Sequence, residues 1–469
     1  MSQQQASTVQ QRLARRIDER QRLLTAFLEA EQEQIARICF EMARAFHHGG
    51  TLIPFGTGAA ATDAAHVAVE FMHPVIVGKR ALPALAPSND PSAASGLAQL
   101  ARADDIAIGL IHGAGDPAVA AFLGEARRRG LLTVALTAAI EDPAAALLRS
   151  EVDYVLSVPS GDHLVVQEVQ ETTYHVLWEL VHVFFEHPGL LSEACITCGD
   201  VAVEARVVAL HNGSATIEKD GAREDVAVEL VDQVSVGDRL LCHAGVALEK
   251  LAPERSQPTD PAEQADDPSG FLYPFLASEE DDLDAVLGDV RASTLRKGAD
   301  VSALRAAIDL DAVESCAAVL RGRLDRGGRL VSFGNGGSST DAQDVTCDFL
   351  SRGWPAVALT NDPATVTAVG NDVGFDKIFA RQLIPLARSE DVALAISTSG
   401  ASANVLAGLE EAHRREMLTC AITGYDGGPL AEWDWLDHRF IVRNDYIPRL
   451  QEAHATVYHL LLDAIGVPT

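Results

Sequence analysis

Two helical spacings and two glycine- and serine-rich loops could do chemistry in this sequence. His66 and Glu70 stand four residues apart, so a helix brings them to one face. Gln167 and His175 stand eight apart, again near one face, about two turns on. His, Glu, Gln and His can ligate a divalent metal, or His and Glu can move protons. Each residue alone is more often structural; four of them at helical spacings point to a site. The loops point to phosphate. Gly334-Asn335-Gly336-Gly337-Ser338-Ser339 follows an apolar run and opens a helical one. Ser397-Thr398-Ser399-Gly400-Ala401-Ser402 also follows an apolar run, with four hydroxyls in six residues. Glycines allow close backbone approach, and hydroxyls and helix N–H groups donate to phosphate oxygens. Serines also serve turns as local caps. Two such loops at neighbouring strand ends, however, are where open α/β sheets bind ligands.

An internal repeat supplies the elements that position these residues. Residues 55–71 read FGTGAAATDAAHVAVEF and residues 333–349 read FGNGGSSTDAQDVTCDF, so Asp63 matches Asp341 at an offset of 278. QEVQETTYHVL from Gln167 matches QEAHATVYHLL from Gln451 at an offset of 284. Two matches in the same order imply two copies of one domain. In the second copy GGRLVSFGNGG, VALAISTSG and LTCAITG read as strands, alternating with helices over DAQDVTCDFLSR, NVLAGLEEAHRRE and Gln451–Ile465. The first copy repeats the order with GTLIPFGTG, DIAIGLIHG, LLTVALTA and YVLSVPS. Residues 9–47 and 282–327 read as the helices preceding each sheet. This alternation predicts parallel sheets flanked by helices. Residues 203–251 instead hold short alternating runs broken by Asn212-Gly213 and Asp220-Gly221, a small β-barrel or sandwich pattern. Residues 253–284 read as an acidic linker, with Phe271-Leu272-Tyr273-Pro274-Phe275 as a segment that docks on a neighbour. The expected division is 1–190, 191–252, 253–284 and 285–469.

Composition narrows the function. A chain of 469 residues suggests about three domains. A formal charge of −30 argues against a nucleic-acid backbone as partner, though not against phosphate ligands held by backbone N–H groups. Seven cysteines, an odd number, do not read as a disulfide framework. The polar N-terminus MSQQQASTVQQRLARR does not read as a signal peptide, and no apolar run suits a membrane span. A soluble cytoplasmic protein is expected.

Both copies resemble the sugar isomerase (SIS) fold, and more narrowly the phosphoheptose isomerase (sedoheptulose 7-phosphate isomerase) family. GNGGSSTDAQ, TNDPATVTAVGNDVGFDKIFARQL and ISTSGASANVL in the second copy are near-verbatim motifs of that family. The resemblance implies that the serines of the two loops hold the phosphate. It also implies that a His-x3-Glu pair and a later Gln-x7-His pair bind zinc, with the Glu and the last His moving protons between C1 and C2 of the sugar. The second copy carries Asn335, Gly336, Gly337, Ser338, Asn361, Asp362, Ser397, Thr398, Ser399 and Ser402 for the sugar phosphate. It keeps Gln451 and His459 but has Asp344 and Asp348 at the His-x3-Glu positions. The first copy keeps His66, Glu70, Gln167 and His175, while its loops, Gly56-Thr57-Gly58-Ala59-Ala60 and His112-Gly113-Ala114-Gly115, lack most hydroxyls. Zinc is expected in the first copy; the metal of the second is left open. Three readings follow. The second copy uses Mg²⁺ or Mn²⁺ on its harder aspartates and still catalyses; the copies pack as a pseudo-dimer with a composite site; or catalysis is lost. Glu70 and His175, or Asp348 and His459, are the candidate catalytic pairs. The resemblance also implies a homo-oligomer.

The middle segment resembles another family. Val236-Gly237-Asp238-Arg239-Leu240-Leu241-Cys242-His243-Ala244-Gly245 looks like the HypC/HupF family of [NiFe]-hydrogenase maturation chaperones, small OB-type barrels. In that family a cysteine near the start of the domain helps carry an Fe(CN)₂CO unit to the hydrogenase large-subunit precursor, and a histidine lies close by. Cys195 or Cys198 would take the cysteine's place and His243 the histidine's, although the family cysteine usually sits next to the initiator Met. The expected architecture is therefore α/β, two SIS-type parallel-sheet sandwich domains flanking a small OB-like β-barrel. The expected function is a phosphosugar isomerase acting as an accessory in hydrogenase maturation. Alternatives are a plain phosphoheptose isomerase with a structural insert, and an inactive SIS scaffold or sensor.

Overall fold

The computed structural model describes residues 8–74, 79–87, 96, 101–113, 115–139, 150–191, 203–211, 214–219, 222–228, 231, 234–243, 246–251 and 282–468. It divides into two compact units, residues 1–181 with 290–469, and residues 182–289. Among the described residues, no helix is long and apolar enough to cross a membrane.

The larger unit contains both copies. In the first, strands β1 (Leu52–Gly56), β2 (Ile106–Leu110), β3 (Leu132–Thr137) and β4 (Tyr154–Ser157) form an all-parallel sheet in that order. In the second, β10 (Leu330–Phe333), β11 (Ala356–Ala358), β12 (Val392–Ser397), β13 (Leu418–Thr423) and β14 (His438–Ile441) form a parallel sheet in the order β11-β10-β12-β13-β14. The runs IAIGL, VALAIS and LTCAIT are buried throughout, as strands covered on both faces must be. The repeat has decayed at one edge. The counterpart of β11 in the first copy is a single parallel bridge between Leu52 and Ala84.

Helices α1 (Thr8–His47), α2 (Ala60–Met72), α3 (Pro117–Arg128) and α4 (His163–Phe185) belong to the first copy. Helices α5 (Leu283–Ala306), α6 (Leu310–Leu324), α7 (Gly337–Ser351), α8 (Pro363–Asp372), α9 (Ile378–Leu386), α10 (Ala403–Arg414) and α11 (Ile447–Ile465) complete the second. The helix expected over 282–327 is two helices. Asp309 caps the second of them, accepting from the N–H groups of Asp311 and Ala312, so the chain restarts there. α1 is a single 40-residue helix that runs antiparallel to α5, with Gln21 bonded to the Ser302 carbonyl and Glu33 paired with Arg291. Its Leu13 and Ile17 pack into the second copy's core beside Val313 and Leu320. The first copy thus helps cover the second.

At the centre lie α4 and α11, both buried along nearly all their length. Their polar residues pair across the copies. Glu168 accepts from Arg20 at 2.7 Å and from Thr456 at 2.7 Å, and meets His459 Nδ1 at 2.7 Å. Glu452 meets His175 Nδ1 at 2.9 Å and also pairs with Arg449, which reaches Glu179 at 2.6 Å. Each copy's glutamate therefore holds the other copy's histidine.

In the smaller unit, β5 (Val203–His211), β6 (Ser214–Lys219), β7 (Ala222–Ala227), β8 (Arg239–His243) and β9 (Val246–Leu251) form a mostly antiparallel sheet in the order β5-β6-β7-β9-β8. β8 pairs back on β5, and the join of β7 to β9 is one parallel pairing, Ala227 with Val246. Its core is Ala205, Val207, Ala215, Ile217, Val226, Leu240, Cys242 and Ala247. Cys195, Cys198 and the acidic segment as far as residue 281 lie outside the described residues. His243 ends β8.

A candidate active site shared by the two copies

His66 and Glu70 stand one turn apart on α2, and both are buried. His66 Nε2 lies 3.6 Å from Glu70 Oε1, and the donor atoms of His66, Glu70 and His175 all fall within 4.8 Å of one another. The amide at this cluster is not Gln167. It is Gln451 of the second copy, whose Nε2 is 3.1 Å from His66 Nε2. Gln167 crosses the other way and donates to Asp344 Oδ2 at 2.5 Å. The expected grouping of Gln167 with His66, Glu70 and His175 is therefore corrected: α4 and α11 exchange their glutamines. Helix geometry explains it, since eight residues at 1.5 Å put Gln167 about 12 Å along α4 from His175.

Second-copy residues also bring the phosphate loop here. Gly337 opens α7, and a Cβ at this position would lie 1.8 Å from Gln451 Nε2 and 2.8 Å from His66 Nε2. A larger residue at this position would have to displace the Gln451 amide from the histidine. At the mirrored place, Ala59 has a methyl group and Asp344 is the shorter side chain. The cradle follows from Gly337. Ser338 lies in the first turn of α7, and Ser397 ends β12 next to it in the sheet. Ser397 Oγ is 3.5 Å from Ser402 Oγ and accepts from the Gly400 N–H; Ser399 Oγ accepts from the Ala401 N–H. Asn335 exchanges two 2.8 Å amide hydrogen bonds with Asn404, tying the two loops together. Its amide is thus engaged in holding the cradle. Asp362 caps α8 through the Ala364 N–H and Thr365, which accounts for its carboxylate; Asn361 beside it is exposed.

Electrostatics distinguishes the members of the cluster. Burial opposes charge on His66, but the contact with Glu70 and the carboxylates of Asp341, Glu70 and Asp63 outweigh it and raise its pKa. Burial likewise opposes charge on Glu70, but His66 and His175 hold it below the usual range. Burial lowers His175, against the pull of Glu452. With Nδ1 facing Glu452, the neutral imidazole turns a bare Nε2 to the cluster. Glu70 Oε2, His175 Nε2 and Gln451 Oε1 are buried and have no hydrogen-bond partner among the described residues. With His66, Glu70 and His175 offering ligand atoms within 4.8 Å of one another, the cluster fits a divalent ion.

The second cluster is its mirror image: Asp344, Asp348 and His459 have donor atoms within 4.8 Å of one another. Asp344 is already engaged, accepting from Gln167, from Tyr458 at 2.9 Å and from Thr62 at 3.2 Å. Burial, with Asp348 and Asp63 beside it, pushes Asp344 well above the usual carboxylate range. Burial opposes charge on His459, but Asp348 and Glu168 outweigh it and push it up to about 10. The sequence reading missed Glu168, Glu452, Tyr174 and Tyr458, all repeated at the 284-residue offset. Tyr174 holds His66 Nδ1 at 3.1 Å, as Tyr458 holds Asp344.

Comparison with known proteins identifies the domains that carry this cluster. The SIS-domain family model matches residues 17–138 and 299–424, together more than half of the chain. The chain belongs to the SIS-domain family. The phosphoheptose isomerase of Thiobacillus denitrificans is 41% identical over 191 residues, 39% of this chain and 93% of that protein. The phosphoheptose isomerase of Aquifex aeolicus is 37% identical over 176 residues, 36% of this chain and 91% of that protein. The C-terminal domain of glucosamine-fructose-6-phosphate aminotransferase from Francisella tularensis shares the fold, with a TM-score of 0.54 over 96% of this chain and 93% of that one at 8% identity. Between the SIS domains, the HupF/HypC family model matches residues 201–261. That match begins after Cys195 and Cys198, so the residues aligned with the family exclude both candidate cysteines.

Proposed function

We propose that this chain is a metal-dependent sugar-phosphate isomerase of the phosphoheptose isomerase type with one complete active centre, assembled from both SIS domains. The observation that carries the reading is the placement of Gly337 and Gln451 against His66. It supports joining the first copy's His66, Glu70 and His175 to the second copy's serine cradle. The cradle, Ser338, Ser397, Thr398, Ser399 and Ser402, holds the phosphate of sedoheptulose 7-phosphate and directs C1 and C2 toward Glu70. A divalent metal, zinc by resemblance, would sit on His66, Glu70, His175 and Gln451, polarise the sugar carbonyl and stabilise charge developing on its oxygen. Glu70 takes a proton from C1 as the C1–C2 double bond forms and the carbonyl electron pair moves to O2. His175 passes the hydroxyl proton from O1 to O2 when its Nε2 is off the metal, since the one lone pair there cannot serve both. The carbonyl then forms at C1, and Glu70 returns its proton to C2. Glu452 positions His175 and fixes the tautomer this transfer needs.

Turnover of sedoheptulose 7-phosphate by the intact chain tests the reading. Ser397→Ala and Ser399→Ala each remove a donor to phosphate, costing about 1.5–3 kcal/mol, or roughly 10–100-fold in kcat/KM. Unchanged kcat/KM in both would contradict the cradle.

The middle unit, read as an OB-type barrel, acts in this proposal as a HypC/HupF module in the cytoplasm. The domains would be 1–190, 191–252 and 285–469, joined by the linker 253–284. Cys195 or Cys198, with His243, would carry the iron unit toward a hydrogenase large-subunit precursor. The family-model match supports this part. Anaerobic co-purification with that precursor, lost in Cys195→Ala or Cys198→Ala, is the expected result; its absence from the unaltered chain would contradict it.

A further inference from the structure

A chain of alternating charges leads outward from His175. Its Nδ1 meets Glu452 Oε1 at 2.9 Å, and Glu452 pairs with Arg449 one turn earlier on α11. Arg449 reaches Glu179 of α4 at 2.6 Å, and Glu179 in turn accepts from Lys297 of α5. Glu452, Arg449 and Glu179 are 0%, 2% and 5% exposed, whereas the Lys297 side chain keeps 17% of its surface in solvent. Both cations also lie over the ring of Tyr446, the residue that precedes α11. Lys297 Nζ is 5.5 Å and Arg449 Cζ 6.0 Å from the ring centroid.

Two carboxylates and two cations balance along this chain. Without the charge of Lys297, Arg449 would stand between two carboxylates, and a buried anion left unpaired is costly. Glu179 would draw the guanidinium toward itself and off Glu452. Thr172 would remain on Glu452 at 3.3 Å, while the nearby Arg305 is turned to Glu168 and Thr456. Glu452 accepts from the Nδ1–H of His175, and that bond keeps the Nε2 lone pair facing the cluster. Loosening Glu452 lets His175 rotate and carry its proton on Nε2. The other centre is held differently. Glu168, which meets His459, bonds directly to the buried Arg20, and the residue matching Arg449 is Val165. The relay through a second carboxylate belongs to the shared centre.

We propose that Lys297 is a positioning residue for the isomerase reaction, setting the orientation and tautomer of His175 through Glu179, Arg449 and Glu452. It acts by its charge, so an arginine can replace it and an apolar side chain of similar length cannot. The serine loops take no part in the chain, so the effect falls on kcat rather than KM. The inference rests on the reading of His175 as a member of the isomerase centre.

The test compares the full chain with Lys297→Met and Lys297→Arg on sedoheptulose 7-phosphate. Lys297→Met should lower kcat at least about tenfold with KM unchanged, as losing an outer partner of a ligand histidine predicts, and Lys297→Arg should restore most of it. A second measurement does not depend on turnover. In ¹⁵N-histidine NMR of the chelator-treated chain, His175 is assigned by its absence from His175→Gln. The unaltered chain should carry the His175 proton on Nδ1, and Lys297→Met should move part of the population to Nε2. If circular dichroism shows Lys297→Met unfolded, Lys297→Gln decides, because it keeps a donor to Glu179 without the charge. Unchanged kcat, or a fall in kcat with the His175 signals unmoved, overturns the proposal. Absence of turnover from the unaltered chain would overturn the isomerase reading instead, and the His175 signals would then decide the role of Lys297 alone.

Discussion

Glu70→Gln lowers turnover of sedoheptulose 7-phosphate by about 10²–10⁴-fold, the range for losing a general base, while Asp348→Asn leaves it within the same order of magnitude. The two carboxylates occupy matching positions, so the difference comes from their surroundings. Glu70 lies with His66 and His175, and Gly337 of the second copy's first serine loop stands against His66. Asp348 lies with His459 and with an Asp344 already engaged by Gln167. Glutamine preserves the shape of Glu70 and removes its proton affinity, so circular dichroism should be unchanged. Steady-state kinetics of both variants checks the expectation. Equal losses would mean two working centres.

Glu168→Gln destabilises the larger unit by about 3–5 kcal/mol, because it leaves buried cations without their anion. Glu168 is fully buried and pairs with Arg20, and with Arg305 at 3.5 Å, both also buried. Burial opposes its charge, but Arg20, Arg305 and His459 hold its pKa well below the ordinary 4.5. A carboxylate with a depressed folded pKa contributes stability that is present above about pH 4.5 and lost as pH falls. The unaltered chain should lose stability on that acid side, and Glu168→Gln should lose less over the same range. Chemical denaturation at pH 7 and pH 4 measures both. An unchanged midpoint at pH 7 would show that the network is replaceable.

Much of this was legible in the sequence. The apolar runs fixed seven of the parallel strands, because a sheet covered on both faces leaves continuous stretches such as VALAIS. The loops and the His66–Glu70 pair were legible because glycine, serine and a four-residue spacing each have a local meaning. The origin of the glutamine was not, because the pairing of α4 with α11 is tertiary; along the chain Gln167 is the natural partner of His175. Glu168 and Glu452 stood in plain view beside their glutamines, but nothing local shows that each holds the other copy's histidine.

The shared centre is tested most directly by exchanging attention between the two glutamines. Gln451→Ala and Gln167→Ala are each dialysed against metal-free buffer, and retained zinc and kcat are measured. Loss of metal and turnover in Gln451→Ala, with both kept in Gln167→Ala, is the predicted result. Loss in Gln167→Ala with Gln451→Ala unaffected would place the whole quartet within the first copy and contradict a site built from both.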